Sequence, residues 1–272
     1  MSKGLSLHIG LNSVSPASYA GWSGDLLACE ADANDMRQLA VSQGFTASAL
    51  LTKKATRAAV IAGIKAAASK LKSGDTFFLT YSGHGGQVPD NNDDEPDRED
   101  ETWCMFDGQI VDDELAQLYT KFAAGTRIII LSDSCHSGSV SKLRAIGLDS
   151  ESNRDNVSGK RYRFMPPDVA QSTYRRNKAL YDPIQKQPPA AAPKATVLLV
   201  SGCQDNQLSQ DGTFNGLFTG TLLKVWKNGA FKGNYQIFRE GIVKRMPPDQ
   251  TPQLFIYGTR NAAFEAGKPF SK

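Results

Sequence analysis

TRIIILSDSCHSGS, residues 126–139, decides how the rest of the chain is read. A short β-branched and apolar run, Ile128 to Leu131, reads as a buried strand. It stops abruptly in small and polar residues around Cys135. A thiol placed there can be a small core hydrophobe, a metal ligand or a nucleophile. Only four cysteines occur in 272 residues (Cys29, Cys104, Cys135 and Cys203), with no CxxC pair and no nearby His/Cys spacing of the zinc type, so a thiol-bound metal is not expected. The neighbours Asp133, Ser134, His136 and Gly138 are unlike those of a core residue, which favours the nucleophile over the other two readings.

Outward from this point, short apolar runs alternate with helical patterns. LSLHIGL (Leu5 to Leu11), ASALLT (Ala47 to Thr52), DTFFLTYSG (Asp75 to Gly83), ATVLLVSG (Ala195 to Gly202) and a final QLFIYG read as strands. Helices are expected from Ala28 to Gly44, over TRAAVIAGIKAAASKLKSGD, over Asn215 to Trp226 and over Tyr235 to Arg245. TWCMFDGQIVDDELAQLYTKFAAG predicts a hairpin around Asp107-Gly108 and then a helix capped by Asp112 or Asp113. The alternation implies an α/β chain, a three-layer sandwich with a mostly parallel central sheet in a single domain spanning 1–272. Residues 140–193 have little periodicity, many polar residues and a closing PPAAAP, and read as an irregular basic loop.

With 31 basic against 28 acidic residues, total charge argues for neither a nucleic-acid nor a membrane partner. The first residues lack a basic region followed by a long apolar stretch, and no apolar run is long enough to span a bilayer. A cytoplasmic protein with reduced thiols is expected.

In open parallel sheets the chemistry lies beyond the carboxyl ends of the strands. Two such ends carry reactive groups: FFLTYSG runs into His84, and IIILSDS into Cys135. His84 sits in SGHGG, where glycines let a ligand approach the backbone. His8 is mid-strand and reads as a packing residue; the ring of His136, next to Cys135 in locally extended chain, points away from the thiol. A neutral imidazole can take the thiol proton and hand it to a leaving amine.

YSGHGG and DSCHSGS, in this order, resemble the motifs of caspase-fold cysteine peptidases, and DxCHSG with the acidic segment between them is similar to type I metacaspases and bacterial orthocaspases. The likeness runs from LSLHIGLN through QLFIYG. It implies a caspase-like fold and an endopeptidase with His84 as base and Cys135 as nucleophile. The backbone N–H groups of Gly85 and Cys135 would form the oxyanion hole. It further implies cleavage after Arg or Lys, with Asp133, Asp32, Ser82 and Cys29 in the primary pocket. Peptide substrates, rather than nucleic acid or membrane, are the expected partners. A monomer is implied too, with TWCMFDGQIV as added strands over the edge through which caspases pair. A noncatalytic caspase-like regulator or scaffold and an Asp-specific enzyme are the alternatives; retention of His84 and Cys135 argues against the first, and acidic Asp133 against the second.

Two charged segments extend this reading. Between Arg154 and Lys178 lie seven basic residues (Arg154, Lys160, Arg161, Arg163, Arg175, Arg176, Lys178) against Asp155 and Asp168, so an Arg/Lys-directed enzyme could cut itself here. A solvated linker, or stacking of Tyr162, Phe164 and Tyr174 on nucleic-acid bases, stays open at this stage. The acidic DNNDDEPDREDE, Asp90 to Glu101, suits calcium but lacks the EF-hand glycine. The resemblance assigns calcium to Asp100, Asp112 and Asp113. A further ligand is expected where this chain has Lys142, with Asp149 as a substitute.

Overall fold

The computed structural model describes residues 2–90, 98–135, 160–204 and 207–272. Nine strands run in chain order: β1 (Gly4–Gly10), β2 (Thr46–Leu51), β3 (Thr76–Ser82), β4 (Gly85–Pro89), β5 (Glu99–Met105), β6 (Gly108–Val111), β7 (Arg127–Asp133), β8 (Thr196–Ser201) and β9 (Gln253–Gly258). Six of them form one sheet in the order β2-β1-β3-β7-β8-β9. All of its pairings are parallel except β8 with β9.

β3 and β7 are apolar without alternation because the sheet is covered on both faces. Phe77, Leu79, Ile128 and Ile130 point to one side, where they pack with Val60, Ile64 and Ala67 of α2 (Arg57–Lys70) and Leu115 and Leu118 of α3 (Asp112–Tyr119). Phe78, Ile129 and Leu131 point to the other, against Met36 and Leu39 of α1 (Cys29–Ser42). Fully burying a side chain such as Phe78 contributes about 2–3 kcal/mol, so these paired faces make the sheet the stable frame of the molecule. α2 starts where Thr56 Oγ1 accepts the Ala59 N–H at 3.2 Å. α3 starts at Asp112, whose Oδ1 accepts the Asp113 N–H at 3.0 Å, so neither aspartate occupies the flanking cap position.

Two expectations are corrected. The stretch 140–193 is not irregular throughout: α4 (Pro167–Arg176) and α5 (Lys178–Gln185) lie within it. Pro167 presets the first turn of α4, and Tyr174, Tyr181 and Ile184 pack with Val88 and Val111. Two short helices and a proline inside the second, Pro183, give too little period to read, and tertiary packing supplies what propensity does not. The predicted hairpin does form, with Met105 opposite Gly108, but β5 and β6 join β4 in a separate three-stranded sheet. They do not cover the edge of the central sheet, and among the described residues β9 pairs only with β8. β4 itself hides in sequence because its glycines read as turn.

Two further helices, α6 (Leu217–Trp226) and α7 (Tyr235–Val243), complete the second face with Phe218, Leu222, Phe238 and Ile242. A short α8 (Ala262–Glu265) closes the chain. No helix among the described residues is long and apolar enough to cross a membrane, and the four cysteines are buried thiols outside any disulfide.

Candidate active site

Because Ser82 of β3 stands in register with Asp133 of β7, the residues just beyond these strands, His84 and Cys135, leave the sheet side by side. The approach is close. A Cβ on Gly85 would lie 1.8 Å from the Cys135 carbonyl oxygen, so no other residue fits.

His84 is buried, and its Nε2 bonds to the Gly24 carbonyl oxygen at 2.7 Å. A carbonyl only accepts, so Nε2 carries the proton and the neutral ring presents Nδ1 as a bare acceptor. Nδ1 is buried without a close hydrogen-bond partner, although the Phe164 backbone beside the ring adds to the upward pull on its pKa. Burial lowers the pKa of His84 to about 4, against the upward pull of the Gly24 carbonyl, so the ring is neutral near pH 7. Trp22 lies against it, ring centres 4.6 Å apart. Cys135, also fully buried, accepts the Ser209 N–H at its sulfur at 2.5 Å.

Asp133, Asp32 and Ser82, the residues expected in a primary pocket, converge on one side chain, that of Arg163. Its Nη1 reaches Asp133 Oδ2 at 2.8 Å and Ser82 Oγ at 2.8 Å; its Nη2 reaches Asp32 Oδ2 at 2.7 Å and Asp211 Oδ1 at 3.0 Å. The guanidinium is entirely shielded from solvent. Each carboxylate is oriented by other donors: Asp133 by Ser209 Oγ and by the N–H and hydroxyl of Thr219, Asp32 by Asn215, Gly216 N and Ser82 Oγ, Asp211 by the N–H of Leu27. Burial and the charge of Asp133 push the Asp32 carboxyl above its ordinary value, against the pull of Arg163. Cys29 stands behind this ring, buried, its thiol pKa raised by burial and lowered in part by Arg163 and Ser82.

The Arg163 backbone is held as firmly. Its carbonyl oxygen accepts from Gly85 N at 2.9 Å and Cys135 N at 3.0 Å, the two groups expected to form an oxyanion hole. Its N–H donates to Ser209 O at 3.0 Å. Tyr162 and Phe164, on either side, pack with Cys135 and Leu208, and Tyr174 stacks on Tyr181, so these rings are not available for nucleic-acid bases.

Several participants escaped the sequence. Asp211 looks like an ordinary turn residue in SQDG, and Gly24 acts through its backbone, which leaves no signal at all. Arg163 was one of seven basic residues, and nothing local distinguishes it. Asp32, at the start of a helix, reads equally well as exposed; its burial comes from α6 and Arg163 closing over it.

The calcium positions are not assembled as one set among the described residues. Asp100 is buried and accepts from Gln185 Nε2 at 3.0 Å. Asp112 and Asp113 instead line a cleft of about 320 Å³ with Glu101, Trp103 and Tyr257. Glu101, rather than Asp100, faces them because alternate strand residues face opposite ways. No group of three or more His, Cys, Asp or Glu among the described residues could hold a metal ion. His136, Lys142, Asp149 and most of the acidic segment (91–97) lie outside the described residues, as does Arg154.

Residues 13–259 match the caspase domain, Peptidase_C14. Metacaspase-1 of Schizosaccharomyces pombe is 31% identical over 253 residues, covering 79% of this chain and 57% of the relative. Metacaspase-1 of Coccidioides immitis is 30% identical, covering 79% and 52%. The chain thus spans just over half the length of these curated relatives. Among solved structures, protein GSU0716 from Geobacter sulfurreducens is similar at 55% identity, with a TM-score of 0.89 over 99% of this chain and 98% of that one. Caspase-1 from Spodoptera frugiperda shares the fold at 11% identity, with a TM-score of 0.57 over 94% and 86% of the two chains.

Proposed function

The chain belongs to the caspase-domain family of cysteine peptidases, and from that premise we propose that it is an endopeptidase cutting after arginine or lysine, with Cys135 as nucleophile and His84 as base. One observation carries the reading: an arginine of the chain's own sequence lies with its guanidinium among three carboxylates and its carbonyl oxygen against the N–H groups of Gly85 and Cys135.

In this reading the pit of Asp32, Asp133 and Asp211 selects the side chain on the acyl side of the bond. The planar fork of arginine matches two pairs of acceptors at once, whereas a lysine ammonium would act as a point charge. An aspartate would add a fourth carboxylate to the same buried space, so an Asp-specific enzyme is disfavoured. The Gly85 and Cys135 N–H groups would hold the oxygen as it gains charge. His84, neutral and with Nδ1 bare, takes the thiol proton and delivers it to the departing amine. Calcium has no complete ligand set among the described residues, and no step is routed through a metal.

A peptidyl-arginine chloromethyl ketone tests the assignment. It should add to the wild-type chain once, on Cys135, and fail to label Cys135→Ala. A matched aspartyl reagent that labels equally fast would overturn the specificity, and an adduct on another cysteine the nucleophile.

A further inference from the structure

Resting on the reading of the chain as an Arg-directed peptidase, we propose that Asp211 is a positioning residue that joins the pit to His84. A guanidinium bound in the pit fixes Asp211, Asp211 fixes the backbone of residues 24–28, and that backbone fixes the histidine. The series of bonds is short. Asp211 Oδ1 accepts from Arg163 Nη2 at 3.0 Å, and Arg163 here stands where a substrate arginine would lie. The same oxygen lies 3.4 Å from Ala28 N, and Oδ2 accepts from Leu27 N at 2.7 Å. Three residues before Leu27, the Gly24 carbonyl oxygen accepts from His84 Nε2 at 2.7 Å.

Residues 22–28 lie outside helix and strand, so individual hydrogen bonds, rather than a ladder, set where the Gly24 carbonyl points. Asn12 holds one side of this loop: its carbonyl oxygen accepts from Leu26 N at 2.8 Å, and its Nδ2 donates to Leu27 O at 3.2 Å. Asp211 holds the other side through the Leu27 and Ala28 N–H groups. The Leu27 side chain is exposed and adds little anchorage of its own. At Gly24 the fit to the histidine leaves no slack. Its φ is +54°, and a Cβ there would lie 2.9 Å from His84 Nε2 and 2.7 Å from the Trp22 ring, so a small shift of this backbone displaces the partner of the ring nitrogen.

The three carboxylates of the pit are not equivalent. Asp133 and Asp32 are also bonded by Thr219 of α6 and by Gly216 at its start, whereas Asp211 bonds to the loop that carries Gly24. With no cation between them, three buried like charges repel, and the one tied to the least regular segment yields first. A guanidinium removes that repulsion and bonds Oδ1, so Asp211 and the loop settle together. Anchorage alone does not call for this placement. Asp75 also accepts two backbone N–H groups, from Lys3 at 2.7 Å and Lys72 at 2.9 Å, and does so at the surface. Asp211 does it buried, sharing one guanidinium with two further carboxylates. The consequence is kinetic: the charge of a substrate arginine speeds the chemical step as well as its own binding, because it completes the support of the base. Citrulline, of the same shape but uncharged, leaves Asp211 unfixed.

Methylguanidinium, added to hydrolysis of a fluorogenic peptide ending in glycine, separates occupancy of the pit from the substrate itself. In wild type it should raise kcat on the glycine peptide roughly 10-fold with little change in KM, and compete with an Arg peptide. Asp211→Asn keeps an oxygen for the Leu27 N–H and loses the charge that meets the guanidinium. It should lose about 10-fold in kcat on the Arg peptide with a smaller change in KM, and lose the acceleration of the glycine peptide. Methylguanidinium should still compete with the Arg peptide in this variant, through Asp32 and Asp133. A wild-type glycine-peptide rate that stays flat at concentrations that halve Arg-peptide hydrolysis would overturn the coupling without recourse to any variant, and would leave the peptidase reading standing. Acceleration that persists in Asp211→Asn, or a loss there confined to KM, would overturn the role of Asp211. No turnover of Arg or Lys peptides by wild type would overturn both readings.

Discussion

Two histidines are buried among the described residues, and they differ in what their rings have left to offer. His8 lies in the middle of β1 with Nδ1 on Thr80 Oγ1 at 3.0 Å and Nε2 on Ser6 Oγ at 2.9 Å. His84 has one nitrogen on the Gly24 carbonyl and the other buried with no close partner. Burial lowers both pKa values, to about 3 for His8, helped by Arg37, and to about 4 for His84. A depressed pKa therefore does not distinguish a packing residue from a reactive one. Unused bonding capacity does, because an unpaired buried nitrogen costs stability and persists where function requires it.

Substitution at each position sharpens the contrast. His84→Ala should reduce Arg-peptide hydrolysis about 10³-fold while leaving the thermal midpoint near that of wild type. His8→Gln should leave turnover per folded molecule unchanged and lower the midpoint. Equal loss of turnover in both would erase the distinction. For both rings the unfolded chain binds a proton between pH 6.5 and the depressed value that the folded chain does not. Stability is therefore fully present above pH 6.5 and lost as pH falls towards 4 and then 3. Between pH 7 and pH 4 the His8 contribution changes by on the order of 3 kcal/mol, and His8→Gln should remove much of that acid sensitivity in urea titrations at the two pH values.

The pit offers a smaller effect of the same kind. Asp133 is bonded by Arg163 and also by Ser209 and Thr219, whereas Asp211 holds Arg163 and the backbone of the loop before α1. Asp133→Asn should weaken Arg peptides about 10²-fold and Asp211→Asn about 10-fold, each measured against a citrulline peptide of the same shape and no charge. Equal losses on both peptides would assign the residue to folding rather than to recognition of charge.

The sequence makes the frame, and the meeting of the two residues proposed as the catalytic pair, legible for physical reasons. Ile128 to Leu131 and Phe77 to Leu79 could only be buried strands, and chemistry at their carboxyl ends follows from parallel topology, which brought His84 and Cys135 together. What stayed hidden depends on distant segments. Asp211 joins Asp32 and Asp133 only after β8 and its following loop fold across the sheet. Gly24 contributes a carbonyl, which every residue has. Arg163 is singled out from its basic neighbours by the path of the chain, not by its type. The helices α4 and α5 rest on packing of Tyr174 and Tyr181 that no local period announces.

The most direct measurement of the central claim is hydrolysis of matched fluorogenic peptides ending in Arg, Lys, citrulline or Asp by wild type and Cys135→Ala, each with calcium and with chelator. Turnover of Arg or Lys peptides well above citrulline and Asp, absent in Cys135→Ala, is the expected result. Preference for Asp, or turnover that survives loss of Cys135, would contradict it.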